Sequence, residues 1–144
     1  MRSLGRFGSL YERIMTMNAR FEFGDNFLEI SVNPHTTIFK VCVKSEGFEG
    51  HGECETDIED FLQFVGELEE MYRLERKDAR LQSIIGYETY IKFVMHKTGH
   101  VTVSGKVFDY KHSVEFEFKA DQTALPPFIK QLREMMESCG QSGR

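Results

Sequence analysis

The sequence predicts an α+β domain: an antiparallel β-sheet of about six or seven strands with two α-helices packed on one face. Most of the chain alternates apolar and polar residues with a period of two, as strands with one wet face do. The reversals between these runs are short, and parallel neighbours need long crossovers, so the pairing is antiparallel. Two segments replace the alternation with a single apolar stripe of helical period, which leaves the sheet as the surface for them to cover. At 144 residues one core is expected. Residues 1–17 then form an N-terminal arm or extension, 18–139 a single domain and 140–144 a flexible tail.

Phe21 to Phe23 and Phe27 to Val32 read as a strand pair turning at Gly24-Asp25-Asn26. Asn33-Pro34-His35 interrupts, because proline has no amide to give a ladder. Thr37, Phe39, Val41 and Val43 alternate with Lys40 and Lys44, and Gly47 suits the next turn. Phe48, Gly50, Gly52 and Cys54 then face one way, and Glu49, His51, Glu53 and Glu55 the other. Thr56-Asp57-Ile58-Glu59 fits a capping box with Thr56 as the N-cap. The helix it opens has Ile58, Phe61, Leu62, Val65, Leu68 and Tyr72 as its apolar stripe. Arg76 to Arg80 reads as a polar connector.

Three strands follow: Tyr87 to Met95, Val101 to Val107 and Val114 to Ala120. Lys97-Thr98-Gly99 is a tight reversal with Gly99 free to take a positive φ, and Tyr110-Lys111-His112 is another. Thr123 is the expected N-cap of the last helix, whose first turn tolerates Pro126 and Pro127 because amides there lack intrahelical acceptors. Leu125, Phe128, Ile129, Leu132 and Met136 face inward, and Gly140 ends the helix. Sheet-then-helix occurs twice, without a repeat at the level of residues.

Hydrophobic content of 40% with 28% charged residues describes a soluble globule, and no apolar run approaches the roughly 20 residues that span a bilayer. The formal charge of −5 disfavours direct nucleic-acid binding. Arg2 and Arg6 among Gly5, Gly8 and Ser9 do not make a secretory signal. Cys42, Cys54 and Cys139, an odd set without C-x-x-C spacing, argue against a disulfide framework or a zinc knuckle and fit a reducing cytoplasm. Cys42 and Cys54 read as small core residues.

Catalytic chemistry finds little support. His96 and His100 bracket a reversal, and a metal would want a third ligand, for which Glu88 and His112 are the nearest options; two surface histidines are the simpler account. His51 with Glu49 or Glu53 would make a general base and its orienter, but a solvated histidine on a wet strand face is the better account. Gly50-His51-Gly52 lacks the lysine and helix start of a phosphate cradle. No cofactor and no metal are expected.

Charge placement says more. Between Ser45 and Tyr72 there are ten acidic residues and no Lys or Arg, a local charge of −10 that leaves +5 for the rest of the chain. A concentrated negative field speeds encounter with a basic partner and selects among partners. A solvated helix face with acids at its N-terminus explains the same pattern without a partner.

The segments ARFEFGDNFLEISV and VEFEFKADQTALPPFIKQLREMM resemble the WapI-like immunity proteins of bacterial polymorphic toxin systems. In that family a strand passes through Asp-Gln-Thr into a helix beginning Leu-Pro, as Asp121, Gln122, Thr123, Leu125 and Pro126 do here. GHVTVSGKV, from Gly99 to Val107, is similar to the family's central strand. The resemblance implies a cytoplasmic, non-enzymatic inhibitor that binds the toxic C-terminal domain of a cognate toxin, often a nuclease. It supplies no binding residues. Charge and resemblance together point to Glu53, Glu55, Glu59, Asp60, Glu67 and Glu70 as the surface facing a basic toxin domain. The competing readings are a small enzyme or ligand-binding domain using His51 or His100 with nearby glutamates, and an edge-strand homodimer.

Overall fold

The computed structural model describes residues 17–32, 38–84, 89–109 and 111–142, with side chains through residue 138. The N-terminal arm, the break at Asn33 to His35, Tyr87, Glu88, Tyr110 and the last two residues lie wholly or mainly outside that set. The strands are β1 (Met17–Phe23), β2 (Asn26–Val32), β3 (Ile38–Ser45), β4 (Phe48–Glu55), β5 (Asp78–Gln82), β6 (Tyr90–Met95), β7 (His100–Asp109) and β8 (His112–Asp121). Helix α1 (Ile58–Tyr72) follows β4. A 3-10 turn at Gln122–Ala124 leads from β8 into helix α2 (Leu125–Ser142).

The α+β class holds, with two differences. There are eight strands, and they form two four-stranded antiparallel meanders, β1-β2-β3-β4 and β5-β6-β7-β8. The additional strand is β5, at the place read as a polar connector. Its Ala79 and Leu81 are buried while Asp78 and Arg80 are exposed. An alternation carried by two apolar residues among charged ones is easily taken for a loop.

Each meander is followed by a helix, and the helices are exchanged. The one that follows the first sheet packs on β5 of the second, and the one that follows the second sheet packs on β1 of the first. Both covered strands are edge strands, and each gives one amide to the helix above it. Arg20 N donates to Gln131 Oε1 at 2.7 Å, and Arg80 N donates to Glu67 Oε1 at 3.2 Å. Exposed edges invite pairing with other chains, so a helix side chain that accepts such an amide blunts the edge.

The sheets meet where β4 runs against β7, and β1 and β3 against β8. The glycines of β4 are required there: a Cβ on Gly52 would stand 2.7 Å from both Phe108 N and Phe108 O. Phenylalanines fill the space between sheets and helices. Phe93 of β6 meets Phe21 of β1 edge-on at 5.1 Å, stacks on Phe128 of α2 at 5.7 Å and lies 6.0 Å from Phe64 of α1. Phe39 of β3 stacks on Phe61 of α1 at 4.3 Å.

Other local expectations shift. The α1 stripe is Phe61, Phe64, Val65, Leu68 and Met71, whereas Ile58, Leu62 and Tyr72 are 41%, 39% and 47% exposed. Asp57, not Thr56, is the N-cap; it accepts from Asp60 N at 2.8 Å. Thr56 is buried, and its hydroxyl has no partner among the described residues. Asp121, not Thr123, caps the 3-10 turn by accepting from Thr123 N. The last helix continues past Gly140 to Ser142. Its inward residues are those expected, joined by Met135. Gly99 takes φ +87° as expected. Cys54 is buried, but Cys42 is only half-buried, on the strand face it shares with Lys40 and Lys44.

Phe93→Ala is expected to cost about 3–5 kcal/mol, since it opens a cavity among three elements at once. Gly52→Ala should cost about 1–3 kcal/mol by overpacking. Gly66→Ala, in mid-helix with nothing within 4 Å of the new Cβ, should instead gain about 1 kcal/mol. Denaturant unfolding of the three variants checks all of these.

Candidate protein-binding surface

The acidic run begins on the outer face of β4. There Glu49, His51 and Glu53 stand opposite Lys44, Cys42 and Lys40 of β3. Glu53 therefore has a lysine as its cross-strand neighbour. Glu55 ends the strand half-buried, and its carbonyl accepts Ile84 N at 2.8 Å, which ties β4 to the chain beyond β5. The chain then enters α1 through the Asp57 cap. Glu59 and Asp60 sit in the exposed first turn, where negative charge favours the helix dipole.

At 100° per residue, Glu59, Leu62, Gln63, Gly66, Glu70 and Arg73 form the line pointing away from the core. Glu67 and Glu69 turn to the flanks and are neutralised there. Glu67 forms an ion pair with Arg76 at 3.1 Å besides accepting the Arg80 amide, and only 12% of its side chain is exposed. Glu69 pairs with Arg133 of α2, whose Nε donates to Glu69 Oε2 and whose Nη2 donates to Glu69 Oε1. Glu59, Asp60 and Glu70 make no ion pair with a described residue. Of the six acids read from the sequence, Glu53 and Glu55 likewise make no ion pair with a described residue, while Glu67 is occupied within the fold.

Exposed apolar side chains accompany the acids. Ile58 and Leu62 lie along one border of the outward line, and Tyr72 ends the helix. Leu74 follows, 72% exposed and at φ +62°. The sequence pattern placed the first three in the core, because an apolar residue at helical spacing carries no mark of which stripe it joins. Nothing in the sequence singled out Leu74.

The other candidates separate in space. His51 lies 4.0 Å from the Cys42 sulfur, and His96 Nε2 is 2.7 Å from Thr102 Oγ1. Backbone groups of His96 and His100 bond across the β6–β7 turn, His96 N donating to His100 O. Among the described residues no group of three His, Cys, Asp or Glu side chains is arranged to hold a metal ion. Burial pushes the Cys54 thiol up to about 12. Burial, and then Glu29 and Glu49, also raise Cys42. Neither is a ready thiolate at neutral pH.

A family model for WapI-like immunity proteins matches residues 21–140. The chain belongs to the WapI-like immunity protein family. Membership supports an immunity function exercised by binding a toxin, and suggests a non-enzymatic role. Among solved structures, one titled MRP1/MRP2 from Trypanosoma bruciei is similar in fold, with a TM-score of 0.58 at 11% identity, over 99% of this chain and 97% of that one. No curated protein gives a significant sequence match. Among the described residues no helix is long and apolar enough to cross a membrane.

The start of α1 is tested directly. Asp57→Ala should lower unfolding free energy by about 1 kcal/mol. Thr56→Val, which removes a buried hydroxyl without a partner among the described residues, should be neutral or stabilising in the same denaturant titration.

Proposed function

We propose that this protein binds the toxic C-terminal domain of a cognate polymorphic toxin in the cytoplasm and neutralises it by occupation, without catalysis. The observation that carries the reading is the outward line of α1. There Glu59 and Glu70, with Asp60 beside them, keep carboxylates that no basic side chain of the described fold pairs. Glu53 and Glu55 extend the same negative field onto β4. A toxin domain that handles phosphates, as a nuclease does, carries a basic site, and an acidic surface can stand in that site in place of substrate. Electrostatic steering then speeds encounter, while buried apolar contacts hold the complex.

Glu67 belongs to the field but is committed to Arg76 and to the β5 edge, so its replacement would disturb the fold as well as the surface. The clean test is Glu59→Lys with Glu70→Lys. Association with the catalytically inactivated domain of the cognate toxin should slow by roughly tenfold or more at low salt. The difference from wild type should shrink at high salt as the charges are screened. Equal association rates at low salt would refute the acidic-surface reading. Loss of protection in cells that express the toxin domain gives the same answer in vivo.

A further inference from the structure

Among the described residues two that are not glycine have positive φ, and they are held differently. Glu46, at φ +52°, forms the two-residue β3–β4 turn with Gly47 at φ +87°. That hairpin geometry demands the conformation, and Asn26 secures it, with Glu46 N donating to Asn26 Oδ1 at 2.9 Å and Asn26 Nδ2 donating to Glu46 Oε1. Leu74 has no such support. It lies just past the C-cap Arg73 of α1, where Glu75 N donates back to Glu70 O and Leu74 N to Met71 O. That is the position glycine or asparagine ordinarily fills, because a Cβ is penalised there. Leucine is a poor choice for the backbone, and with 72% of its surface in water it is a poor choice for solvation as well.

Leu74 stands at a cavity of about 620 Å³ between the end of α1 and the β6–β7 turn, lined also by Arg76, Lys77, Met95, Lys97 and Gln122. Met95 is 8% exposed and gives an apolar wall. Arg76 is taken by Glu67, and Glu75 is taken by Arg73. Lys77 and Lys97 make no ion pair with a described residue. The cavity therefore joins an apolar wall, an exposed leucine and two free cations, at the end of the same helix whose outward line is acidic.

We propose that Leu74 and this cavity anchor the bound toxin domain, receiving a segment that presents an apolar side chain beside a carboxylate. The apolar side chain packs between Leu74 and Met95, and the carboxylate reaches Lys77 and Lys97. The unfavourable backbone at Leu74 is retained because only a large side chain at that point covers the incoming group. Acids along α1 and cations at its end then impose one orientation on the partner, since the reverse docking would set like charges together. The proposal rests on the toxin-binding reading above, and its test separates the two.

Leu74→Gly removes both the strain and the anchor. Its melting temperature is expected to rise by about 2–8 °C, while affinity for the inactivated toxin domain falls roughly tenfold or more, chiefly through faster dissociation. Leu74→Asn, which tolerates the same backbone, should behave alike. Lys77→Glu with Lys97→Glu should also weaken binding, by repelling the carboxylate. Phe48→Ala, which truncates a similarly exposed residue at the start of β4, should leave affinity unchanged. A Leu74→Gly variant that melts higher yet binds as wild type overturns the anchor and leaves the acidic-surface reading standing. One that melts lower overturns the strain argument and the proposal with it. Weaker binding by Leu74→Gly, with normal association by the Glu59→Lys, Glu70→Lys variant, upholds the anchor and removes the steering surface. A wild-type protein that does not bind the toxin domain overturns both.

Discussion

Contact among phenylalanines is the constraint on which the structure depends. Phe93 touches Phe21, Phe64 and Phe128, so a single ring belongs at once to both sheets and both helices. Phe39 and Phe61 carry the stack onward to β3. Neither four-stranded meander has a second face of its own to bury, and each helix offers only one apolar stripe. The layers are stable only together, and the rings are what they share. The absence of tryptophan and the abundance of phenylalanine suit this arrangement, since a phenyl ring has no polar atom to satisfy in a dry interior.

Exchange of the helices follows from that geometry and decides how the charges should be read. Each helix covers an edge strand of the sheet it does not follow, and each offers a side-chain oxygen to an edge amide, Gln131 to Arg20 and Glu67 to Arg80. The acidic run is therefore not uniform in purpose. Glu67 and Glu69 bind cations of the fold itself, from the segment before β5 and from α2, while Glu59, Asp60 and Glu70 face outward without them. The −10 of the sequence overstates the field available to a partner, because part of it serves as internal ties.

Much of the fold was legible because alternation and helical stripes record burial. β3 and β7 buried the described residues their period assigned to the core, as did the inward stripe of α2, and β8 did so from Phe116 to Ala120 with Val114 only partly buried. What was not legible had physical causes. β5 carries its period on Ala79 and Leu81 alone, so charged neighbours disguised it. Cap assignment failed because Thr56 and Asp57 are both competent oxygen acceptors, and burial of the first, which no local rule encodes, left the task to the second. Cysteine's general preference for burial placed Cys42 with the core, though the period of β3 puts it with Lys40 and Lys44 on the wet face. The candidate surface was legible in its charge and not in its apolar part. Ile58, Leu62 and Tyr72 share a helical spacing with the core stripe, and only the position of α1 against β5 and α2 shows that they lie beside it.

Leu74 illustrates a different limit. Its significance lies in a backbone angle, and the residue that would suit that angle is one the sequence does not use. A fold selected for stability alone would end α1 with glycine and leave no large apolar side chain in water. The described backbone elsewhere observes the first part of that rule: Gly24, Gly47 and Gly99 occupy the other positive-φ positions among the described residues, and Glu46, the exception, is held by Asn26. The one departure that no side chain supports lies beside a cavity with two lysines that make no ion pair with a described residue, and the proposal above assigns it to a requirement outside the isolated chain. Affinity for any partner depends on contacts made only in the complex, so the residues that make them stand at a disadvantage in the free protein. On this argument the strained backbone and the exposed side chain at Leu74 have one origin, and neither is explained by the fold alone.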